Sequence, residues 1–205
     1  MHGVGVAAAT VLAYLLGSLP SADLASRVAT GGGVDLRAAG SGNPGATNAA
    51  AVLGKRWGAG VLAADVAKGV LAGFAGRALG GDAGGYVAAT VVIGGHILPP
   101  WSRFRGGKGV ATSAGACLAV FPLYFPVYIV LAGVVAARSR NAELAAQVSG
   151  FAWIVAATLW WSASLPNGWG PSAGFGLLAF VVCSTAMILV KFATSRIPEE
   201  DVIQD

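Results

Sequence analysis

Charge is what this chain has least of: Asp, Glu, Lys and Arg make up 11% of its 205 residues, against 56% hydrophobic ones. Soluble domains carry about twice that share of charge. With a mean hydropathy of +0.71, the composition excludes a soluble protein and describes an integral membrane one. Histidine and cysteine are nearly missing too. The only histidines are His2 and His96, too few for a His-rich metal centre. Cys117 and Cys183 lie far apart in apolar segments without CxxC spacing, so neither a disulfide framework nor a thiolate metal site follows. The N-terminus lacks a basic region, which argues against a cleaved signal peptide. Glycine, by contrast, is abundant. The 31 glycines follow no three-residue period, so they fit close helix packing in lipid rather than collagen.

Against this apolar background one stretch stands out, Gly40-Ser-Gly-Asn-Pro-Gly-Ala-Thr-Asn48. Asn43 then Pro44 reads as an N-cap followed by proline at the first helical position. The helix runs over residues 46–53 and stops at Gly54. A glycine loop that feeds a helix N-terminus offers free N–H groups and a positive dipole end, which suits a phosphate. Gly42 and Gly45 let the backbone come close to such a ligand, and Ser41, Asn43, Thr47 and Asn48 add side-chain donors. The stretch also matches G-x-G-x-x-G. A dinucleotide site needs a strand before the glycines and an acidic residue about 20 positions later in a βαβ unit. An Ala- and Leu-rich apolar segment precedes it instead, and Asp65 lies inside another. A plain glycine turn between two helices is the remaining alternative.

Taken in order, residues 4–19 are apolar, and the helix continues through Pro20 to about Val28, with Asp23 and Arg27 spaced to pair at i,i+4. Residues 34–57 form a polar loop. Residues 58–78 make a second span carrying Asp65 and Lys68, 80–85 a turn, 86–98 a third span, and 99–108 a second polar loop. Two short apolar segments, 109–121 and 123–137, meet at Pro122 and Pro126, each below the roughly 20 residues of a straight span. They are two short helices or a re-entrant pair, and the sequence leaves both open. Residues 138–143 form a third polar loop, 146–165 a span, 166–171 a tight connection and 172–190 the last span. The fold expected is all-α, a polytopic membrane protein of about seven transmembrane helices in one domain, residues 1–193, with a short tail over 194–205. Of the 13 Lys and Arg, Lys68 sits within a span. With the N-terminus outside, only Arg77 falls on the outer face. The positive-inside rule then puts all three polar loops and the C-terminus in the cytoplasm, on one membrane face where a single site can assemble.

The second loop repeats the logic of the first. Gly106, Gly107 and Gly109 flank Lys108, and a helix containing Thr112 follows. This is no Walker A loop, because Gly109 rather than Ser or Thr follows the lysine. Arg105 and Lys108 beside backbone amides still make an anion cradle, although positive-inside anchoring would also account for the cations. His96 ends an apolar helix beside this loop, as a general base, a substrate-orienting group or a structural hydrogen-bonding partner. Asp65 and Lys68, at i,i+3 within a span, form either a packing ion pair or a supply of one more cation for the phosphate. Ser41 near His96 suggests nucleophilic chemistry, but no third orienting group is identifiable.

In this order the motifs resemble the bacterial acyl-phosphate-dependent glycerol-3-phosphate acyltransferases. They begin with Tyr14-Leu-Leu-Gly-Ser-Leu-Pro20 and continue through Val34-Asp-Leu-Arg37, the 40–48 stretch, Leu53-Gly-Lys55 and Asp65-x-x-Lys-Gly69. Gly95-His96 and Phe104-Arg-Gly-Gly-Lys-Gly-Val-Ala-Thr112 complete the set. The resemblance covers roughly residues 10–120. It implies a bacterial multi-pass cell-membrane enzyme that transfers a fatty acyl group from acyl-phosphate to the 1-hydroxyl of glycerol 3-phosphate, giving lysophosphatidate for phospholipid synthesis. Its expected partners are those two substrates and membrane lipid, with no nucleic acid, cofactor or metal. Ser41, His96 and Lys108 are the expected catalytic residues. Gly42, Asn43, Gly45, Thr47, Asn48, Lys68, Arg105, Gly106, Gly107 and Thr112 are expected to bind substrate. Three departures from the family pattern stand out. Ala51 replaces an arginine, the third loop reads Arg140-Asn-Ala-Glu-Leu144, and the C-terminal motif is missing from residues 191–200. Arg56, Arg140 and Arg196 are the candidate replacements for the lost cation. The alternative is a catalytically impaired membrane homologue that binds lipid phosphates.

Overall fold

A computed structural model describes residues 2–195; most of the expected C-terminal tail, including Arg196, lies outside the described residues. Among those residues every regular element is helical. The chain forms α1 (His2–Ser18), α2 (Ser21–Thr30), α3 (Ala46–Leu53), α4 (Lys55–Ile97), a 3-10 turn (Pro100–Ser102), α5 (Val110–Val120), α6 (Phe125–Ser139), α7 (Ala142–Ser162) and α8 (Phe175–Thr194). Four stretches are long and apolar enough to cross a membrane: Gly3–Thr30, Lys55–Ser102, Ala142–Ser162 and Phe175–Thr194. No more than 39% of their most apolar windows is buried inside the protein, which leaves the rest of that surface for lipid.

The helix expected to run through Pro20 breaks there. Pro20 has φ −86° and ψ 71°, because its ring lacks an N–H, clashes with the preceding turn and pushes Leu19 out of helical geometry. The freed Leu19 carbonyl accepts a hydrogen bond from Lys68 Nζ at 2.5 Å. Asp23 does not pair with Arg27 along the helix. It takes a two-pronged contact from Arg37, with NH1 to Oδ1 at 2.6 Å and NH2 to Oδ2 at 3.1 Å, a fork geometry that an i,i+4 helical pair does not offer.

Gly80 and Gly81 leave helical geometry inside α4, Gly81 at φ 65°, and split it into two arms. A Cβ on Gly76 would run into the Ala88 side chain and the Gly84 carbonyl, so the arms fold back on each other. The reversal takes two residues rather than the six expected. Arm 2 lies along α1, where a Cβ on Gly17 would strike the Val92 carbonyl and one on Gly95 would meet the Tyr14 carbonyl oxygen at 2.5 Å. Arm 1 lies along α5, with Gly115 against the Val66 carbonyl and Gly69 against the Thr112 carbonyl. Without a hydrophobic driving force between helices in lipid, such backbone contact provides the packing.

The turn between α5 and α6 sits at the far end of the bundle from Lys108. There Asn167 Nδ2 donates to Val120 O at 2.8 Å and Trp169 Nε1 to Leu118 O at 3.0 Å. The two short segments are thus two helices whose shared turn packs against the connection between α7 and α8. The third polar loop is shorter than expected. Asn141 caps α7 by accepting from the backbone N–H of Glu143 at 2.9 Å and of Leu144 at 3.0 Å, so the helix starts earlier. An aromatic core joins α6, α7 and α8, with Trp153 edge-on to Phe180 at 5.1 Å.

Candidate active site

At the end of the bundle that carries the polar loops, five segments converge on one small cavity. Arm 1 of α4 contributes Asp65 and Lys68, and His96 stands at the end of arm 2. The α1–α2 break supplies Ser18, Leu19, Pro20 and Asp23, the first loop Arg37 and Pro44, and the second loop Gly106 and Gly107. The cavity holds about 20 Å³, room for roughly one water.

Its polar wall is tightly bound together. Asp65 Oδ1 lies 2.9 Å from Lys68 Nζ and 3.6 Å from His96 Nδ1, and all three side chains are buried. The other edge of the His96 ring meets the second loop. A Cβ on Gly107 would collide with His96 Nε2 and come within 3.1 Å of Pro44 O. Gly106 N donates to Ile97 O at 3.0 Å, folding the loop back over the helix end. Arg37 ties the site together: besides gripping Asp23, its Nε donates to Arg105 O at 2.8 Å. The hydrogen-bonded Asp23 carboxylate raises the Arg37 pKa above its ordinary value, more than burial lowers it.

The sequence-derived candidates divide between wall and surroundings. Lys68, His96, Gly106 and Gly107 line the cavity. Ser41, Gly42, Asn43, Gly45, Thr47 and Asn48 belong to the adjoining loop and the start of α3, with Ser41 and Thr47 exposed. Gly45, not Asn43, caps α3, in an extended conformation. Asn48 is buried and spends its amide on the loop itself: Nδ2 donates to Leu36 O and Ala39 O, and Oδ1 accepts from Ser41 N, each at 2.9 Å. Asn48→Ala is therefore expected to cost about 1–3 kcal/mol of stability, since it strands buried backbone groups; thermal unfolding in detergent measures it.

Arg105 is exposed and takes part through its carbonyl. Thr112 is fully buried one turn into α5, and its hydroxyl has no partner among the described residues. Lys108 is not part of the cavity wall; its Nζ lies 4.1 Å from the centre of the Phe192 ring on α8. Burial lowers its pKa, against a pull in the other direction from Glu143. Asp23, Arg37, Asp65 and the Leu19 carbonyl were not among the sequence-derived site residues. Pro20 in an apolar run and the carboxylate of Asp65 within a span were the signals available for them. Among the described residues, no three His, Cys, Asp or Glu side chains gather as metal ligands.

The family model for glycerol-3-phosphate acyltransferase matches residues 7–197. The chain belongs to the glycerol-3-phosphate acyltransferase family. The glycerol-3-phosphate acyltransferase of Clostridioides difficile (strain 630) is 50% identical over 120 residues, 55% of this chain and 57% of that relative. The match to this relative thus spans little more than half of its length. The one from Thermoanaerobacter sp. (strain X514) is 34% identical over 154 residues, 75% of this chain and 77% of the relative. Two crystal structures of PlsY, an integral membrane glycerol 3-phosphate acyltransferase, superpose on the bundle. The glycerol 3-phosphate form gives a TM-score of 0.75 at 30% identity, covering 92% of this chain and 88% of that one. The lysophosphatidic acid form gives 0.73 at 29% identity over the same shares. Like these family members, the chain is an all-helical integral membrane protein.

Proposed function

We propose that this acyltransferase family member transfers a fatty acyl group from acyl-phosphate to the 1-hydroxyl of glycerol 3-phosphate. The hydroxyl oxygen bonds to the acyl carbon, the bond from that carbon to the phosphate oxygen breaks, and its electron pair leaves with phosphate. The departing phosphate takes the hydroxyl proton, and the products are lysophosphatidate and inorganic phosphate. An acyl-phosphate is already activated, so positioning supplies most of the catalysis.

The observation that carries this reading is the convergence of His96, Lys68, Gly106 and Gly107 on one cavity, in a fold shared with PlsY in its glycerol 3-phosphate form. Lys108, Arg105 and the amides of Gly106 and Gly107 hold the phosphates, with Lys68 as a further cation. Ser41, Asn43 and His96 orient the acceptor, and the side-chain donors of Ser41 and Asn43 stabilise the developing oxyanion. Gly42, Gly45, Thr47, Asn48 and Thr112 shape the adjoining loop and helix starts. Counting both short helices as spans gives seven crossings, and the positive-inside distribution then supports an outside N-terminus and cytoplasmic motif loops.

The test is acyl transfer by the full chain in lipid vesicles, with labelled glycerol 3-phosphate and palmitoyl-phosphate. Labelled lysophosphatidate is expected, reduced on the order of 100-fold in Lys108→Ala, because charge-assisted contacts to phosphate contribute about 1.5–3 kcal/mol each. Binding of the label without turnover would instead identify a non-catalytic homologue. A second expectation concerns pH. Burial lowers the Lys108 pKa, so raising the pH strips its charge earlier than for an exposed lysine. The KM for glycerol 3-phosphate should then climb on the alkaline side before an exposed lysine would titrate, and Lys108→Arg should remove that climb.

A further inference from the structure

We propose that Asp65 is the positioning residue of this site, fixing the His96 ring so that its Nδ1–H faces the carboxylate and its Nε2 faces the substrate. This rests on the acyltransferase reading. The two ring nitrogens meet different surroundings. Nδ1 is 3.6 Å from Asp65 Oδ1, slightly beyond a hydrogen bond and of the kind that tightens once substrate is bound. Nε2 points the other way, into the space that a Cβ on Gly107 would fill, where the cavity meets the second loop.

A carboxylate beside one nitrogen selects the tautomer that donates to it and leaves a lone pair on the other. Asp65 is itself held in place. Lys68 Nζ binds the same Oδ1 at 2.9 Å and is anchored to the Leu19 carbonyl at 2.5 Å. The carboxylate therefore cannot swing away without stranding a buried ammonium. The other charged side chains lining the cavity are Asp23 from α2 and Arg37 from the first loop, and these two neutralise each other. The second loop contributes no charged side chain to the wall. Asp65 is the carboxylate placed to orient His96, the orienting group that sequence spacing alone does not identify.

Only two histidines occur in the chain, so a His2→Gln background labelled with ¹⁵N-histidine reports His96 alone. The protein is read by NMR as the full chain in lipid. The expected result is the tautomer protonated at Nδ1 in the otherwise unaltered protein, displaced or mixed in Asp65→Ala, and largely kept in Asp65→Asn, which retains an oxygen acceptor. In acyl transfer, Asp65→Ala should lower kcat on the order of 10–100-fold, as for a buried hydrogen bond lost at a reacting group. The KM for palmitoyl-phosphate should hold, and Asp65→Asn should recover part of the loss. Protonation at Nε2 in the parent protein would overturn the proposal without any substitution at Asp65, so a variant that fails to fold does not shield it. An unchanged tautomer in Asp65→Asn and Asp65→Ala, with rates falling only as folded protein falls, would leave Asp65 a packing partner of Lys68. Absence of lysophosphatidate from the parent protein counts against the acyltransferase reading alone, because the tautomer is measured without turnover.

Discussion

Replacing Gly107 with alanine is expected to lower acyl transfer on the order of 100-fold, the scale associated with a misplacement of about 1 Å at a reacting group, while the helical bundle stays folded. Gly107 is buried, and the Cβ it lacks would occupy the space of His96 Nε2 and approach Pro44 O at 3.1 Å. What has to give is a side-chain ring rather than backbone. The fold can absorb that by rotating the imidazole, at a cost of about 1–3 kcal/mol for overpacking. Rotation takes Nδ1 away from Asp65 and Nε2 away from the second loop, so the chemistry suffers more than stability. Gly106→Ala is the contrasting case. Its Cβ would strike the His96 carbonyl and meet Ile97 O at 2.6 Å, both backbone atoms, so the loop itself must move and unfolding temperature should fall with activity. Initial rates and thermal unfolding of the two variants side by side separate these outcomes. Full activity in Gly107→Ala would show that the His96 ring does not need its present place.

Much of this arrangement was legible in the residues. Composition settled the membrane class, and the glycine and proline punctuation set the bounds of α3 and the approximate places of the loops. The motif order led to the family. Contacts between elements distant in sequence were not legible. Spacing within a helix suggested Arg27 for Asp23, but a fork from Arg37, 14 residues on, gives better geometry than any i,i+4 neighbour. The first helix was expected to run through Pro20 to about Val28. Pro20 breaks the helix, and the side chain that donates to the Leu19 carbonyl at the break, Lys68, lies 49 residues away. Asn48 looked like a ligand donor because it sits beside a glycine loop that feeds a helix start, yet its amide is spent on the loop itself. Pro122 and Pro126 placed the turn between α5 and α6, but what that turn packs against was not legible, since the anchors Asn167 and Trp169 come from a later connection.

The second large effect is expected at Gly115, which is not part of the cavity wall. Valine there should sharply reduce the folded fraction in detergent and lower kcat in what remains. Arm 1 of α4 and α5 meet backbone to backbone. Gly115 faces the Val66 carbonyl, Gly69 faces the Thr112 carbonyl, and a Cβ on Gly73 would lie 2.5 Å from that of Ala119. Inserting methylenes into a packed core costs about 1–3 kcal/mol when side chains can shift. Here only whole helices can shift, so the cost lies at the upper end or beyond. The same interface sets the geometry of the site, because Lys68 sits one residue before Gly69 on arm 1 and α5 begins two residues after Lys108. Prying the helices apart moves the two lysines relative to each other, and their joint hold on phosphate weakens even in folded molecules. Gly133 provides the comparison, since nothing lies within 4 Å of a Cβ there. Gly133→Ala should be neutral or stabilise α6 by roughly 0.5–1 kcal/mol through the lower entropy cost of alanine in a helix. If Gly115→Val matched Gly133→Ala in unfolding temperature and in kcat, close packing of arm 1 on α5 would not be what holds the two lysines in register.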